Sequence, residues 1–211
     1  MSAAPPATDI RLHGLKLSGH SHRISLFLSL LQLPHEHIEV DLLGGAHKRP
    51  EFLAMNPLGQ VPVLQDGALT LPDSNAILVY LATRYGDAQW LPTDAVGAAR
   101  VQRWLSVAAG PLASGPAMAR IHVVFGKNRP DPALVERSHA LLAVMDAALV
   151  DSPFLIGEAP TIADIACYSY TAHAPEGGVG LAGYPSVCAW LARIEALPHF
   201  IGMPATPLSG G

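Results

Sequence analysis

Residues 56–74 read Asn-Pro-Leu-Gly-Gln-Val-Pro-Val-Leu-Gln-Asp-Gly-Ala-Leu-Thr-Leu-Pro-Asp-Ser, and this stretch decides the fold. Val61–Leu64 is an apolar run typical of a strand, and Asp66-Gly67 is a strong hairpin signal. Leu69–Leu71 is therefore predicted to return as the antiparallel partner strand. Asp73-Ser74 then predicts the start of a helix, because both residue types cap helix N-termini.

Two features of this stretch allow a functional interpretation beside a structural one. Pro62 removes a ladder donor from its strand, so a trans proline at a strand start or edge is one reading. A cis bond after Val61 would instead turn the backbone groups of Val61 outward, free to pair with a ligand. Asp73-Ser74 is either a plain helix cap or an anion site at a helix N-terminus, suited to a ligand carboxylate.

The chain upstream of this stretch predicts a strand, a helix and a second strand. Alternation at Ile10–His13 indicates the first strand, and alternation over residues 38–42 indicates the second. Between them, apolar residues at helical spacing predict a helix that ends by Pro34; they are Ile24, Phe27, Leu28 and Leu31. Two strands joined by a helix are normally parallel with a right-handed crossover.

The pattern changes downstream of the second helix. Residues 87–94 are interpreted as a linker, and beyond them no strand is predicted. Helices are predicted at roughly 95–109, 132–150, 161–173 and 186–197. Thr161-Ile-Ala-Asp164 is a capping-box variant at the start of one of them. The expected organisation is an α/β domain at residues 9–86 and an all-α domain at 95–205, with a short tail at residues 1–8.

Composition excludes several classes of protein. Of the 211 residues, 50% are hydrophobic and only 14% charged, yet no stretch reaches the ~20 apolar residues that a membrane span needs. The N-terminus is not expected to be a signal peptide. A net charge of −4 argues against nucleic-acid binding. Two cysteines form no disulfide framework, so a reducing cytoplasm is expected. The apolar surplus indicates a partner or a ligand groove.

Ser18-Gly-His-Ser21, between the first strand and the first helix, is either a turn with a helix cap or a site for a ligand thiol. A hydroxyl donor and a helix N-terminus both favour a thiolate over a thiol, so both lower its pKa. No Asp or Glu lies close in sequence to orient His20 or His22, which argues against a hydrolytic triad. The ten histidines of the chain offer no convincing ligand pair, so no metal is expected.

Taken together, these motifs resemble the cytosolic glutathione transferase family. The resemblance rests on residues 56–64 and 73–78, on Ser18–Leu26 at the first helix, on Ala46–Leu53 and on Pro160–Asp164, and it runs from about Ile10 to about Phe200. The first helix is similar to that of the serine-type theta and zeta classes and of many bacterial members. The resemblance implies a thioredoxin-like N-terminal domain, a helical C-terminal domain and a homodimer.

The resemblance also implies roles for particular residues. Ser18 matches the serine that donates to the glutathione sulfur, and His20, where other members carry cysteine or asparagine, is a second candidate for activating the thiol. Val61, before a cis Pro62, matches the residue that pairs with the cysteinyl unit. The remaining positions expected at glutathione are Asp73 and Ser74 at the γ-glutamyl end, His47 and Lys48 near the glycine carboxylate, and Gln60.

The helical domain is expected to supply a pocket for a small apolar electrophile, although plain core packing is the alternative for each position. Its candidates are Trp104, Ala108, Met118, His122, Phe125 and the loop Ala174–Val179. The expected activity is conjugation of the glutathione thiolate to that electrophile. The alternatives are another glutathione-dependent reaction, such as isomerisation, dehalogenation, ether cleavage or peroxide reduction, and a non-catalytic binding module. Cys167 is expected to be a small buried core residue.

Overall fold

The structure is a computed structural model that describes residues 9–206; the tail predicted at residues 1–8 lies outside them. Four strands form one sheet in the order β2-β1-β3-β4. They are β1 (Ile10–Gly14), β2 (Glu36–Glu39), β3 (Val63–Asp66) and β4 (Leu69–Pro72). Strand β1 pairs with β2 in parallel across helix α1 (Gly19–Leu30), and the β1–β3 and β3–β4 pairs are antiparallel. The predicted strand–helix–strand unit and the hairpin are both confirmed.

The predicted end of the second strand is wrong. Strand β2 ends at Glu39 rather than at residue 42, although the amide of Val40 still donates to Gly14 O at 2.8 Å. The Asp41 carboxylate then accepts from the amide of Gly44, which turns the chain away from the sheet. Helix α1 ends at Leu30, in agreement with the prediction that it ends by Pro34, and Gln32 takes a φ of 54°, which a right-handed helix cannot contain.

A 3-10 turn at Ala46–Lys48 and helix α2 (Pro50–Met55) lead into the β3–β4 hairpin, and α3 (Ser74–Tyr85) follows it. The helical half contains α4 (Ala95–Ala109), α5 (Met118–Val124), α6 (Pro132–Ala148), α7 (Ile162–Ala172) and α8 (Pro185–Glu195). Four of these five match the predicted helices within two residues. Helix α5 and the π-helical turn at Ala113–Ala117 before it were not predicted, since glycine and proline interrupt the pattern there.

One apolar core runs through both halves of the chain. Helix α7 lies at its centre, with Ile162–Thr171 buried throughout. Its predicted capping box is present, since Thr161 Oγ1 accepts from the Ala163 amide and Asp164 accepts from the Thr161 amide. The same helix buries Cys167 completely, as expected.

Trp90 attaches the predicted linker to both halves. Its ring meets that of Phe27 on α1 edge-on at 5.0 Å, and its carbonyl accepts from the amide of Ile162 at 3.0 Å. Farther along, the chain returns to α1 after α8: the Ser29 hydroxyl donates to His199 O, and the His22 ring bonds Ile201 O. Within residues 9–206 no helix is long and apolar enough to cross a membrane.

Candidate functional site

The first turn of α1 lies between two clefts. Ser18 caps this helix, and its Oγ accepts from the amide of Ser21 at 3.4 Å. As an acceptor in the cap, the Ser18 hydroxyl keeps its own proton to donate elsewhere. Gly19 is packed beneath Tyr170, since a Cβ there would lie 2.8 Å from the tyrosine ring. Ser18 therefore faces one cleft and His20, two residues later, faces the other.

The polar cleft, of about 320 Å³, lies between α1, the start of α3 and the loop before β3. It collects six of the nine residues predicted for the thiol and glutathione, and these are His20, Gln60, Val61, Pro62, Asp73 and Ser74. It is also lined by Arg23, Asn56 and Asn75, which sequence reasoning did not assign to a site. Local motifs 50 residues apart in sequence thus meet at one opening.

Asp73 shapes the floor of this cleft at the N-terminus of α3. Its Oδ1 accepts from the amides of Asn75 and Ala76, both at 2.9 Å. Its backbone takes a φ of 75°, a left-handed conformation that non-glycine residues rarely adopt. Such strain is kept where the surroundings impose it, and functional sites are the common place. The positive end of the α3 dipole adds attraction for an anion.

Arg23 is a buried cation in the wall of the polar cleft. It is fully buried, and its Nη1 donates to Ser74 Oγ at 3.2 Å and to Asn75 Oδ1 at 2.9 Å. It forms no ion pair with any residue that the structure describes, and its Nε and Nη2 have no partner there. Burial lowers its pKa. An anionic group entering the cleft would satisfy donors that the folded chain leaves unpaired.

His20, on α1, is a direct neighbour of Ser74 in the polar cleft. Its Nδ1 lies 3.3 Å from Ser74 Oγ, and its ring meets that of Tyr170 edge-on at 5.0 Å. Burial, reinforced by the nearby charge of Arg23, lowers the pKa of His20 from 6.5 to about 3. The imidazole is therefore neutral at neutral pH, so one of its nitrogens carries a proton and the other accepts.

The loop before β3 leaves the backbone of Val61 outside the strand ladder. Asn56 is buried and holds the loop from inside, with Nδ2 donating to Gln60 O at 2.8 Å and Oδ1 accepting from the amide of Leu58. The peptide bond between Val61 and Pro62 is cis, as the resemblance implies. The strand ladder begins only at Val63, so Val61 stands before it.

His47 and Lys48 lie beside this loop rather than in the wall of the polar cleft. The Lys48 ammonium reaches Leu58 O and Gly59 O at 3.5 and 3.4 Å. Gly59 has a φ of 60°, and a Cβ there would lie 2.9 Å from His47 O, so a larger residue would push the two segments apart. His47 Nδ1 is buried without a partner among residues 9–206.

The apolar cleft, of about 350 Å³, opens on the other side of Ser18. Its walls come from the loop after β1, the turn after β2, and helices α5 and α7. They consist of Leu15, Leu17, Ser18, Asp41, Leu42, Leu43, Arg120, Ile121, Phe125 and Tyr170. Most of these side chains are apolar, and Ser18 is among the few polar ones.

The positions predicted for an electrophile pocket are only partly brought together. Phe125 lines the apolar cleft. Trp104 and Ala108 lie in the core, 2% and 0% exposed, and line neither of the two clefts. Their apolar character serves the packing of α4 against α7. Met118 is 44% exposed and His122 half-buried on α5, next to the cleft but outside its wall.

Several functional candidates were missed by sequence reasoning. Arg23 had a usable signal, because it follows His20 by three residues and so shares a helix face with it. Arg120 and Tyr170 had none, since they reach the cleft from helices far along the chain. The predicted loop at Ala174–Val179 contributes Glu176, which bonds Arg120, rather than a wall of the cleft.

The comparisons with known proteins agree with this geometry. The glutathione S-transferase N-terminal domain matches residues 17–84, and the glutathione S-transferase C-terminal domain matches residues 112–198. The chain therefore belongs to the glutathione S-transferase family.

Individual relatives cover most of the chain. Glutathione S-transferase 3 of Zea mays is 35% identical over 90% of this chain and 91% of its own. The disulfide-bond oxidoreductase YfcG of Escherichia coli strain K12 is 34% identical over 85% of this chain and 87% of its own.

Solved structures give the same result. A glutathione S-transferase from Pseudomonas fluorescens superposes with a TM-score of 0.87 at 36% identity, covering 92% of this chain and 98% of its own. A glutathione transferase homolog from Drosophila mojavensis, solved with bound glutathione, has a TM-score of 0.80 at 30% identity, covering 90% of this chain and 89% of its own.

Proposed function

We propose that this chain is a serine-type glutathione transferase that conjugates the glutathione thiolate to small apolar electrophiles. The observation that carries the proposal is the first turn of α1, where Ser18 lines the apolar cleft and His20, two residues later, lines the polar cleft. A tripeptide thiol held in the polar cleft would present its sulfur to the apolar cleft. Holding both reactants side by side is itself a large part of such a catalyst's effect.

Glutathione is proposed to bind with its γ-glutamyl end at the start of α3. Its carboxylate would meet the backbone amide of Ser74, the Arg23 donors and the dipole of α3, and its ammonium would meet Asp73. The backbone of Val61, before the cis proline, would pair with the cysteinyl unit. Gln60, His47 and Lys48 would then surround the glycine carboxylate. The bound glutathione of the Drosophila mojavensis homolog supports this choice of ligand.

Ser18 is proposed to stabilise the thiolate with its free hydroxyl proton. His20 is the second candidate, and its role depends on its tautomer. Since Arg23 already donates to Ser74 Oγ, the Ser74 hydroxyl is free to donate to His20 Nδ1. The proton of the neutral imidazole would then be on Nε2, where it makes His20 a further donor to the sulfur and not a base.

The remaining parts of the proposal follow from the family. The domains are proposed to run over residues 9–86 and 95–205, and the active form to be a cytoplasmic homodimer. Large apolar side chains stay exposed on the single chain, with Leu58 at 73% beside the polar cleft and Val96 at 60% on α4. A second copy would cover part of this surface.

The test is to compare Ser18→Ala and His20→Gln in conjugation of an aryl halide and in the pKa of the bound glutathione thiol. A hydrogen bond to a charged group contributes about 1.5–3 kcal/mol, so Ser18→Ala should raise that pKa by about 1 to 2 and lower kcat/KM at least about tenfold. Ser25→Ala, the same substitution two turns farther along α1 at a residue that lines neither cleft, should change neither. If Ser18→Ala keeps wild-type kcat/KM, Ser18 is not the activating group.

A second candidate is thiol–disulfide exchange, favoured by the similarity to an oxidoreductase. Neither Cys167 nor Cys188 lines the polar or the apolar cleft. Burial raises the pKa of Cys167 to about 12, and Cys188 is exposed on α8. The reacting thiols would both have to come from glutathione. Reduction of a small disulfide without conjugation of any aryl halide would favour this candidate over the first.

A further inference from the structure

Arg120 is a buried cation in the wall of the apolar cleft, where most of the neighbouring side chains are apolar. Only 1% of the residue is exposed. Its Nε donates to Glu176 Oε2 and its Nη1 donates to Leu17 O, both at 2.7 Å. Its Nη2 has no partner among residues 9–206. The guanidinium is therefore fixed on two sides and keeps one donor nitrogen unsatisfied.

The charge of Arg120 is already balanced. Glu176 forms the ion pair, and it is held in turn by His173 Nδ1 at 2.6 Å, by the amide of Thr206 at 3.2 Å and by the Thr206 hydroxyl, which donates to Oε2 at 2.5 Å. A second carboxylate, that of Asp41, also lines the cleft. A ligand that added a full negative charge would meet two carboxylates for one guanidinium. The cleft therefore suits a neutral group that accepts a hydrogen bond.

The rest of the cleft selects for an apolar body around that acceptor. Leu15, Leu17 and Ile121 supply aliphatic surface, and the ring of Phe125 lies 6.0 Å from Arg120 Cζ. Leu17, whose carbonyl binds Arg120, directly precedes Ser18. The backbone of Leu17 therefore connects Arg120, whose Nη2 has no partner, to Ser18, whose hydroxyl is proposed to activate the thiol.

We propose that Arg120 determines specificity for the second substrate, by donating from Nη2 to the carbonyl oxygen of a neutral, apolar, α,β-unsaturated ketone or aldehyde. This rests on the proposed glutathione transferase function. The thiolate sulfur forms a bond to the β-carbon, and the electron pair of the C=C bond moves toward the carbonyl oxygen. Negative charge develops there, beside the Arg120 donor. The α-carbon then takes a proton from water, replacing the proton that the thiol lost.

The test compares two electrophiles that differ in this acceptor, cyclohexenone and benzyl chloride, and measures the ratio of their kcat/KM values. In Arg120→Lys a cation remains for Glu176 but the guanidinium donor is lost. The ratio of cyclohexenone to benzyl chloride should fall about tenfold or more, as expected for one hydrogen bond from a charged donor. Thr206→Val, which loosens Glu176 without touching Nη2, should leave the ratio unchanged.

The outcomes separate this inference from the proposed function. If Arg120→Lys lowers both kcat/KM values equally, Arg120 only positions Leu17 and the inference is wrong. If wild type conjugates neither compound, the transferase proposal fails, and binding alone still tests Arg120. With glutathione present, cyclohexanone should then raise the thermal midpoint of the wild-type protein at about tenfold lower concentration than methylcyclohexane, which has no acceptor. If cyclohexanone and methylcyclohexane raise the thermal midpoint at the same concentration, the inference is wrong. This measurement uses the wild-type protein, so it applies even if Arg120→Lys does not fold.

Discussion

Arg23→Met should weaken glutathione binding without weakening the fold. The substitution keeps the length of the side chain but removes its charge and all its donors. If Arg23 donates to the γ-glutamyl carboxylate, the lost charge-assisted hydrogen bond contributes about 1.5–3 kcal/mol. The Kd for glutathione should therefore rise about ten- to 150-fold.

The stability of the ligand-free protein should respond differently. Arg23→Met removes the two bonds from Nη1 to Ser74 and Asn75, each of which contributes about 1 kcal/mol. It also removes a buried charge without an ion pair and two nitrogens without partners in the described chain, and such groups are themselves destabilising. The two effects oppose each other, so the free energy of unfolding should stay within about 1 kcal/mol of wild type.

Titration calorimetry with glutathione and with cysteinylglycine, together with urea unfolding, measures both quantities. Cysteinylglycine lacks the γ-glutamyl residue, so its weaker binding should be insensitive to Arg23→Met. Arg100→Met, at an exposed arginine of α4, is the matched control and should bind glutathione as wild type does. Wild-type affinity in Arg23→Met would refute the assignment of Arg23 to the ligand. A loss of several kcal/mol of stability would refute the view that its buried charge is a cost.

Two further predictions concern acid and assembly. Burial lowers the pKa of His22 to about 4 and that of His20 to about 3, so the unfolded chain takes up their protons first as the pH falls below about 6.5. The free energy of unfolding should fall on acidification by up to about 1.4 kcal/mol per pH unit for each histidine. In urea unfolding, His22→Gln should make this dependence on pH less steep. Equal stability of the wild-type protein at about pH 7 and about pH 5 would contradict the prediction. Light scattering should give a mass of about twice the 22.2 kDa chain, and a monomer would leave the exposed Leu58 and Val96 without an explanation.

The parts of the fold that were predictable from the sequence depend on local patterns. Three such patterns each lie within a few residues and each favour one backbone conformation. They are the alternation at β1, the Asp66-Gly67 turn and the cap at Asp73. The strand predicted at residues 38–42 is shorter in the structure and ends at Glu39. Its alternation continues past Glu39, but the Asp41 carboxylate bonds the Gly44 amide and ends the strand early. A side chain competing with the ladder is not visible in an alternation pattern.

The electrophile pocket was harder to predict, and for a physical reason. Core and cleft are both lined by apolar side chains, so an apolar residue on a helix is compatible with either. Trp104 and Ala108 belong to the core, whereas Leu42, the last residue of a predicted strand, and Leu43 line the apolar cleft. Arg120 and Glu176 are 56 residues apart, and only the packing of α5 against the loop after α7 brings them together.

The attachment of Trp90 has a consequence for cooperativity. A segment that reads as a linker usually lets two domains move and melt separately. Here its one large ring is packed against Phe27 of the first half, and its carbonyl is bonded to Ile162 of the second. The core on either side is continuous, so neither half retains a complete interior without the other. The α/β half and the helical half are accordingly expected to unfold together. The first turn of α1 is held rigidly only when both halves are folded.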